Sequence, residues 1–287
     1  MRFPNILGAL FCEPWLITGE MHKRLCQIVD EHISGVAHDP GGIVEAYQGA
    51  QGNGREREPF VRLGNVAQVN IHGVIGKRVG FFEASSGVMD VDDVEAALLA
   101  ALEDESIEGI LLDVHSPGGT VTGVPELAEV IAAVNERKPV VAFTDTEMAS
   151  AAYWLASAAS AVYATRSAAV GSIGVYAAWL DASRSFEMNG FRQEVEKVGK
   201  YKAAGLYGTA MTPEQRELVK RRVEEVAGWF KGFVSARRGG VRPEAMEGQS
   251  FYGAEAAATG LVDAVGSRED ALSVLGTLAD MNGRLGG

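Results

Sequence analysis

The stretch IEGILLDVHSPGGTV (Ile107–Val121) decides how the rest of the chain is read. Its first half is apolar at nearly every position, as a strand buried on both faces must be, and it runs into Pro117, Gly118 and Gly119. A helix follows at once in PELAEVIAAVNER, where Leu127, Ile131 and Val134 recur at helical spacing and Pro125 stands near the start. Buried strand, turn and helix make the repeating unit of an α/β domain with a largely buried sheet.

Working outward, the unit recurs on both sides. Upstream, NVAQVNIHGVIG (Asn65–Gly76) predicts a strand, and Asp90 is placed to cap a helix over VDDVEAALLAALED, whose acidic first turn suits the positive end of a helix dipole. Downstream, PVVAFT, AVYAT, GSIGVYAAWL and RQEVEKVGKYK predict strands, while MASAAYWLASAAS and ASRSFEMNG predict helices. PGGTVTGV reads as a turn. Thr212, Pro213 and Gln215 form a capping-box start for a long helix through Arg237, and GAEAAATG and a C-terminal helix complete the chain.

The first 60 residues read differently. Leu25, Ile28, Val29 and Ile33 predict an amphipathic helix over Thr18–Ser34, and the Gly-rich, charged segment from Asp39 to Phe60 predicts a linker. The expected organisation is a helical appendage at 1–38, a flexible linker at 39–60 and a catalytic domain at 61–287. The apolar start MRFPNILGALF is broken by Glu13 and Pro14, and no small-x-small site follows, so it is not read as an export signal.

Composition narrows the function classes. A chain of 287 residues, 47% hydrophobic, can bury a sizeable core. Its formal net charge of −12 argues against a grip on nucleic acid or on an anionic membrane. Cys12 and Cys26 are the only cysteines, which offers neither a disulfide framework nor a zinc site and fits a reducing compartment. The uncharged run Met148–Thr165 is too rich in Ala and Ser to span a bilayer, and no other segment is apolar enough.

Chemistry concentrates in four short motifs. In HSPGGTV, Pro117 removes one amide donor while Gly118 and Gly119 allow a backbone that turns its N–H groups toward a bound oxygen, half of an oxyanion hole; the same turn also serves plain geometry. Ser150, at the head of its helix, is either a capping oxygen or a nucleophile with the Ala151 amide beside it. A nucleophilic serine needs a base. All five histidines, His22, His32, His38, His72 and His115, precede Ser150, and none is well placed. Lysine is the alternative if burial lets it shed its proton, and EKVGKYKAAG offers Lys197, Lys200 and Lys202. Strand alternation puts Lys200 and Lys202 on one face and does not choose between them. Ser172, between two glycines in AAVGSIGVY, is a turn serine or a hydrogen-bonding partner for a neutral lysine.

The ordered set DVHSPGGTV, MASAAYWLASAA, GSIGV and GKYKAAG resembles the S49 peptidases, the signal peptide peptidase A family, over Asn65–Gly266. The resemblance implies a Clp protease/crotonase-like fold of repeated ββα units and a Ser-Lys dyad. It assigns Ser150 as nucleophile, Lys202 as general base, Ser172 as the serine that positions the lysine, and Gly118 with Ala151 as the oxyanion hole. Ala151 stands where the family usually has glycine, which keeps the amide but restricts the backbone. Substrate is expected in extended form along Gly119, Thr120 and Val121.

Without an anchor segment, the chain looks most like the phage and prophage branch, the head maturation proteases. That implies a peptide or protein substrate such as phage scaffold or portal proteins, a homo-oligomer in a ring or dome, no cofactor or metal, and a place in the bacterial cytoplasm or inside the procapsid. The long helix with Trp229, Phe230 and Phe233 is an interface candidate. The readings weighed against it are a membrane-peptide-degrading S49 peptidase, a non-catalytic assembly protein, and an acyl-CoA hydratase or isomerase with Glu147 as its nearest carboxylate.

Overall fold

Apolar runs that can be buried on both sides become the strands of a sheet that is covered on both sides. The computed structural model describes residues 15–18, 23, 59–79, 87–206 and 208–285. In chain order these form β1 (Trp15–Ile17), β2 (Val61–Leu63), β3 (Val66–His72), β4 (Val74–Gly76), β5 (Val88–Asp90), α1 (Val91–Glu103), β6 (Gly109–His115), β7 (Gly118–Thr120), α2 (Val124–Asn135), β8 (Val140–Thr144) and β9 (Glu147–Ala149). There follow α3 (Ala151–Ala156), β10 (Ala161–Ala164), β11 (Ala169–Gly171), α4 (Ser183–Met188), α5 (Pro213–Arg237), β12 (Ser250–Tyr252), α6 (Gly253–Ala258), β13 (Ala264–Val265) and α7 (Arg268–Leu285).

The repeat is a ββα unit. In each unit the first strand joins a large sheet of order β13-β10-β8-β6-β3-β2, and the second joins one of two small sheets, β1-β7-β4-β5 or β12-β11-β9. The large sheet is parallel from β13 to β3, and β2 closes it antiparallel. Gly73, at φ 87°, breaks Asn65–Gly76 into β3 and β4 and so sends the chain from one sheet to the other. The α/β class and the ββα repeat are those expected from the sequence.

Alternation along β6 fills two cores. Ile110 and Leu112 belong to the main core with α1, α2 and α3, while Leu111 belongs to a second cluster with Val141, Phe143 and the α7 residues Ala271 and Leu275. Each such side chain, fully buried, stabilises the fold by about 1.5–3 kcal/mol. Gly109 has no side chain where Leu275 packs, since a Cβ there would come within 2.9 Å of its Cδ1.

Local signals hold where they are short-range. Asp90 accepts from the Asp92 amide as the cap of α1, and Thr212 and Gln215 form the full capping box of α5. Phe230 of α5 is buried and stacks on Trp154 of α3 at 4.6 Å, with Phe233 tilted against the same ring, so these two aromatics pack within the chain; Trp229 remains 52% exposed.

Four expectations need correction. Gly118–Thr120 is a strand rather than a turn, because it finds partners in β1 and β4. The helix of MASAAYWLASAAS covers only Ala151–Ala156, since Glu147–Ala149 pairs with β11 as a strand. The strand expected over GSIGVYAAWL does not form: β11, Ala169–Gly171, ends at the first residue of that stretch. RQEVEKVGKYK forms no strand: the segment is exposed and has no sheet to join among the described residues. The expected N-terminal helix apart from Thr18 and Lys23, the linker apart from Pro59 and Phe60, Cys12, Cys26, His22, His32 and His38 all lie outside the described residues.

Candidate active site

β9 and β11 run parallel with Ala149 level with Gly171, which places the next residues, Ser150 and Ser172, side by side where both strands end. The Ser150 amide donates to the Gly171 carbonyl at 2.7 Å, and the Ser172 amide to the Gln249 carbonyl at 2.8 Å. Both serines hold positive φ, 55° and 53°, and Ser150 has ψ −119°. A non-glycine residue held there costs about 1–3 kcal/mol and persists only where the surroundings impose it. The strain has a geometric result: the chain turns from β9 into α3 in one residue, with Ser150 at the corner.

The corner serine is not a cap. Its side chain accepts no bond from the α3 amides, and its Oγ, on a residue only 1% exposed, has no hydrogen-bond partner among the described residues. An unpaired buried hydroxyl costs about 1–3 kcal/mol by protein mutational data, so it points to a use outside the resting fold. Ala151, fully buried, opens α3, where an N–H has no intrahelical acceptor.

Gly118 faces this corner. At φ 99° and without a side chain it lets Ser150 approach: a Cβ added at Gly118 would lie 2.9 Å from the Ser150 Cβ. Its amide donates to Ser116 Oγ at 3.2 Å, and that hydroxyl donates to the Gly73 carbonyl at 2.6 Å. Ser116 is fully buried and ties the corner together through the bond from its own amide to the Glu147 carbonyl and that from the Ala149 amide to its carbonyl. Gly119 lies against Ile75 so closely that a Cβ would collide with its carbonyl oxygen, while Thr120, the last residue of the strand, and Val121 after it are partly exposed.

Ser150, Ala151, Ser172 and Gly118 are therefore brought together, and Lys202 is not. Lys202 lies in a turn at 199–205, exposed, with its carbonyl 3.5 Å from Gln215 Nε2. Lys200 is also exposed, its ammonium 4.8 Å over the Tyr201 ring, and Lys197 is exposed as well. The sequence reading missed two features: the role of Ser116, and β1, which lies on β7. The signal for β1 was present in Trp-Leu-Ile, three strand-favouring residues in a row after Pro14.

A second cluster sits at the ends of β3 and β6. His72 lies 3.2 Å from Asp113, edge-on to His115 at 6.1 Å, and the cavity they line, of about 460 Å³, includes Asp145 and Arg268. The His72 bond, then the charge of Arg268, holds the Asp113 carboxyl below the usual carboxylate range. Among the described residues no group of His, Cys, Asp and Glu could hold a metal ion, and no helix is long and apolar enough to cross a membrane.

Residues 132–282 match the family described as Peptidase family S49. The head-tail preconnector protein GP5 of Enterobacteria phage P21 is 30% identical over 254 residues, 86% of this chain and 50% of that one. The capsid assembly protease C of Escherichia phage lambda is 29% identical over 232 residues, 80% of this chain and 53% of that one. A putative protease of Methanocaldococcus jannaschii is 32% identical over 195 residues, 67% of this chain and 60% of that one. The chain thus spans between half and three fifths of the length of these relatives.

Proposed function

The chain belongs to peptidase family S49, and from that premise we propose that it is a serine endopeptidase with a Ser150–Lys202 dyad that cleaves scaffold or other head proteins during phage capsid maturation. The observation that carries this reading is the strained Ser150 corner, with a buried, unpaired Oγ and a Cβ close beside Gly118. The phage relatives, one of them a capsid assembly protease, support the setting.

Ser150 attacks a peptide carbonyl while a neutral Lys202 takes its proton. The oxyanion forms between the Gly118 and Ala151 amides, the former exchanging its long bond to Ser116 for the developing charge. The lysine ammonium then protonates the leaving amine, and water, deprotonated by the same lysine, releases the acyl group. Ser172, level with Ser150 on the neighbouring strand, positions the lysine. Lys202 reaches this corner from a neighbouring copy in a homo-oligomer. No cofactor enters the scheme.

The test is hydrolysis of an unfolded protein and of co-expressed phage head proteins by wild type, Ser150→Ala and Lys202→Ala, each checked for folding and oligomer size. Both variants should lose activity. Unchanged cleavage by Lys202→Ala would remove it as base and direct attention to Lys200.

A further inference from the structure

β7 lies between two strands, and one of them comes from about a hundred residues earlier in the sequence. In the order β1-β7-β4-β5, β4 takes one edge of β7 and β1 takes the other. The pairing with β1 is antiparallel, Trp15 opposite Thr120, Leu16 opposite Gly119 and Ile17 opposite Gly118, and the Thr18 amide donates to the Pro117 carbonyl at 3.0 Å. Leu16 and Ile17 are buried, and Leu16 is a member of the main core.

The position of the Leu16 carbonyl is informative. A Cβ added at Gly118 would collide with the Leu16 carbonyl oxygen and lie 2.9 Å from the Ser150 Cβ. One small space, kept open because Gly118 has no side chain, is therefore bordered by a backbone carbonyl of the chain and by the corner serine. That is where an extended substrate would present the carbonyl to be attacked, and pairing along a strand edge is how such a substrate is held. A strand edge takes one partner at a time.

We propose that Trp15–Thr18 is a built-in occupant of the substrate edge, holding the chain's own backbone along β7 so that a substrate must displace it to reach Ser150. The inference rests on Ser150 being the nucleophile. It also names a substrate class: an extended segment with a bulky aliphatic residue opposite Gly119, where Leu16 now sits. A tethered strand competes at high effective concentration, so short free peptides are excluded first.

The experiment uses the full chain. Leu16→Gln, which weakens the seating of β1, should raise kcat/KM on a fluorogenic peptide with leucine before the cleaved bond by about tenfold or more. A synthetic peptide of residues 13–19 should inhibit that variant competitively. Labelling of Ser150 by a small fluorophosphonate separates the two layers. Equal labelling with no gain in peptide turnover, in a folded variant, overturns the occupant while leaving the peptidase reading intact. Absence of labelling and of hydrolysis in every form overturns both. Loss of residues 1–16 from purified wild type would also overturn it, because the segment would then be a substrate.

Should Leu16→Gln fail to fold, Trp15→Cys with Thr120→Cys, in a background carrying Cys12→Ser and Cys26→Ser, locks the pair instead. The oxidised form should be inactive and recover on reduction, and equal activity in both redox states would overturn the proposal.

Discussion

Ser150 carries a conformational cost that its replacements divide. Both Ser150→Ala and Ser150→Gly remove the hydroxyl, so both should abolish hydrolysis, but only glycine also relieves φ 55°, ψ −119°. Ser150→Gly should therefore be more stable than Ser150→Ala by about 1 kcal/mol, read as a higher urea midpoint at equal slope. The reverse order would mean that the corner is not strained. The role of the corner was partly legible in the sequence. A serine before an alanine-rich helix showed where the side chain would stand, but its unusual backbone arises from the β9–β11 pairing, which links residues far apart in the chain. Gly118 was readable for the same local reason, whereas the hold of Ser116 on the Gly118 amide and the Gly73 carbonyl is a tertiary fact.

Between elements, the seam joining α5 to β13 holds a buried charge. Arg238, 7% exposed by its side chain, pairs with Asp263 at 2.7 Å, and Asp263 Oδ2 also accepts from the Val162 amide of β10. Arg238 Nε has no partner among the described residues, and Asp263 is the carboxylate that pairs with the guanidinium. Asp263→Ala should cost about 3 kcal/mol or more, since removing one partner leaves the other buried and unpaired. A loss below about 1 kcal/mol in chemical denaturation would show the pair to be solvated in practice. Asp113, on β6, behaves differently. Its folded pKa lies below its unfolded one, so the stability it contributes is present above the unfolded value near 4 and is lost as pH falls through the lower folded value. Wild type should therefore exceed Asp113→Asn in urea midpoint at about pH 5, and the gap should narrow progressively as pH falls below the unfolded value. A gap independent of pH would assign the difference to packing.

Element boundaries were legible in the same measure as their causes were local. Asp90 and the Thr212–Gln215 box fixed two helix starts because a cap is decided within three residues. Glycines 118 and 119 are poor strand formers in isolation, and β7 exists because β1 and β4 supply its hydrogen bonds. RQEVEKVGKYK suggested a strand, yet a strand needs an edge, and this chain offers it none among the described residues.

At the scale of the whole molecule, that arm, which joins no sheet among the described residues, displays apolar surface. From Ala177 to Leu206 nearly every residue is at least partly exposed, including Leu180, Met188 at 80%, Phe191 at 68% and Val198 at 95%. Apolar side chains so displayed are typical of surfaces that another molecule covers. Lys202 lies on this arm and Ser150 lies in the core, so the dyad proposed above, if formed between copies, would also cover the arm. Complementation tests it. Chains carrying Ser150→Ala and chains carrying Lys202→Ala are each inactive alone, but a mixed closed oligomer contains contacts where an intact serine meets a neighbour's intact lysine. Random reassembly at equal amounts should restore about a quarter of the wild-type activity. Val198→Asp on the arm should lower both oligomer size and activity together, measured by light scattering and by the same peptide assay. Silence in the mixture, with assembly intact, would mean that each chain folds its own lysine back to its own serine, and the exposed arm would then need another partner.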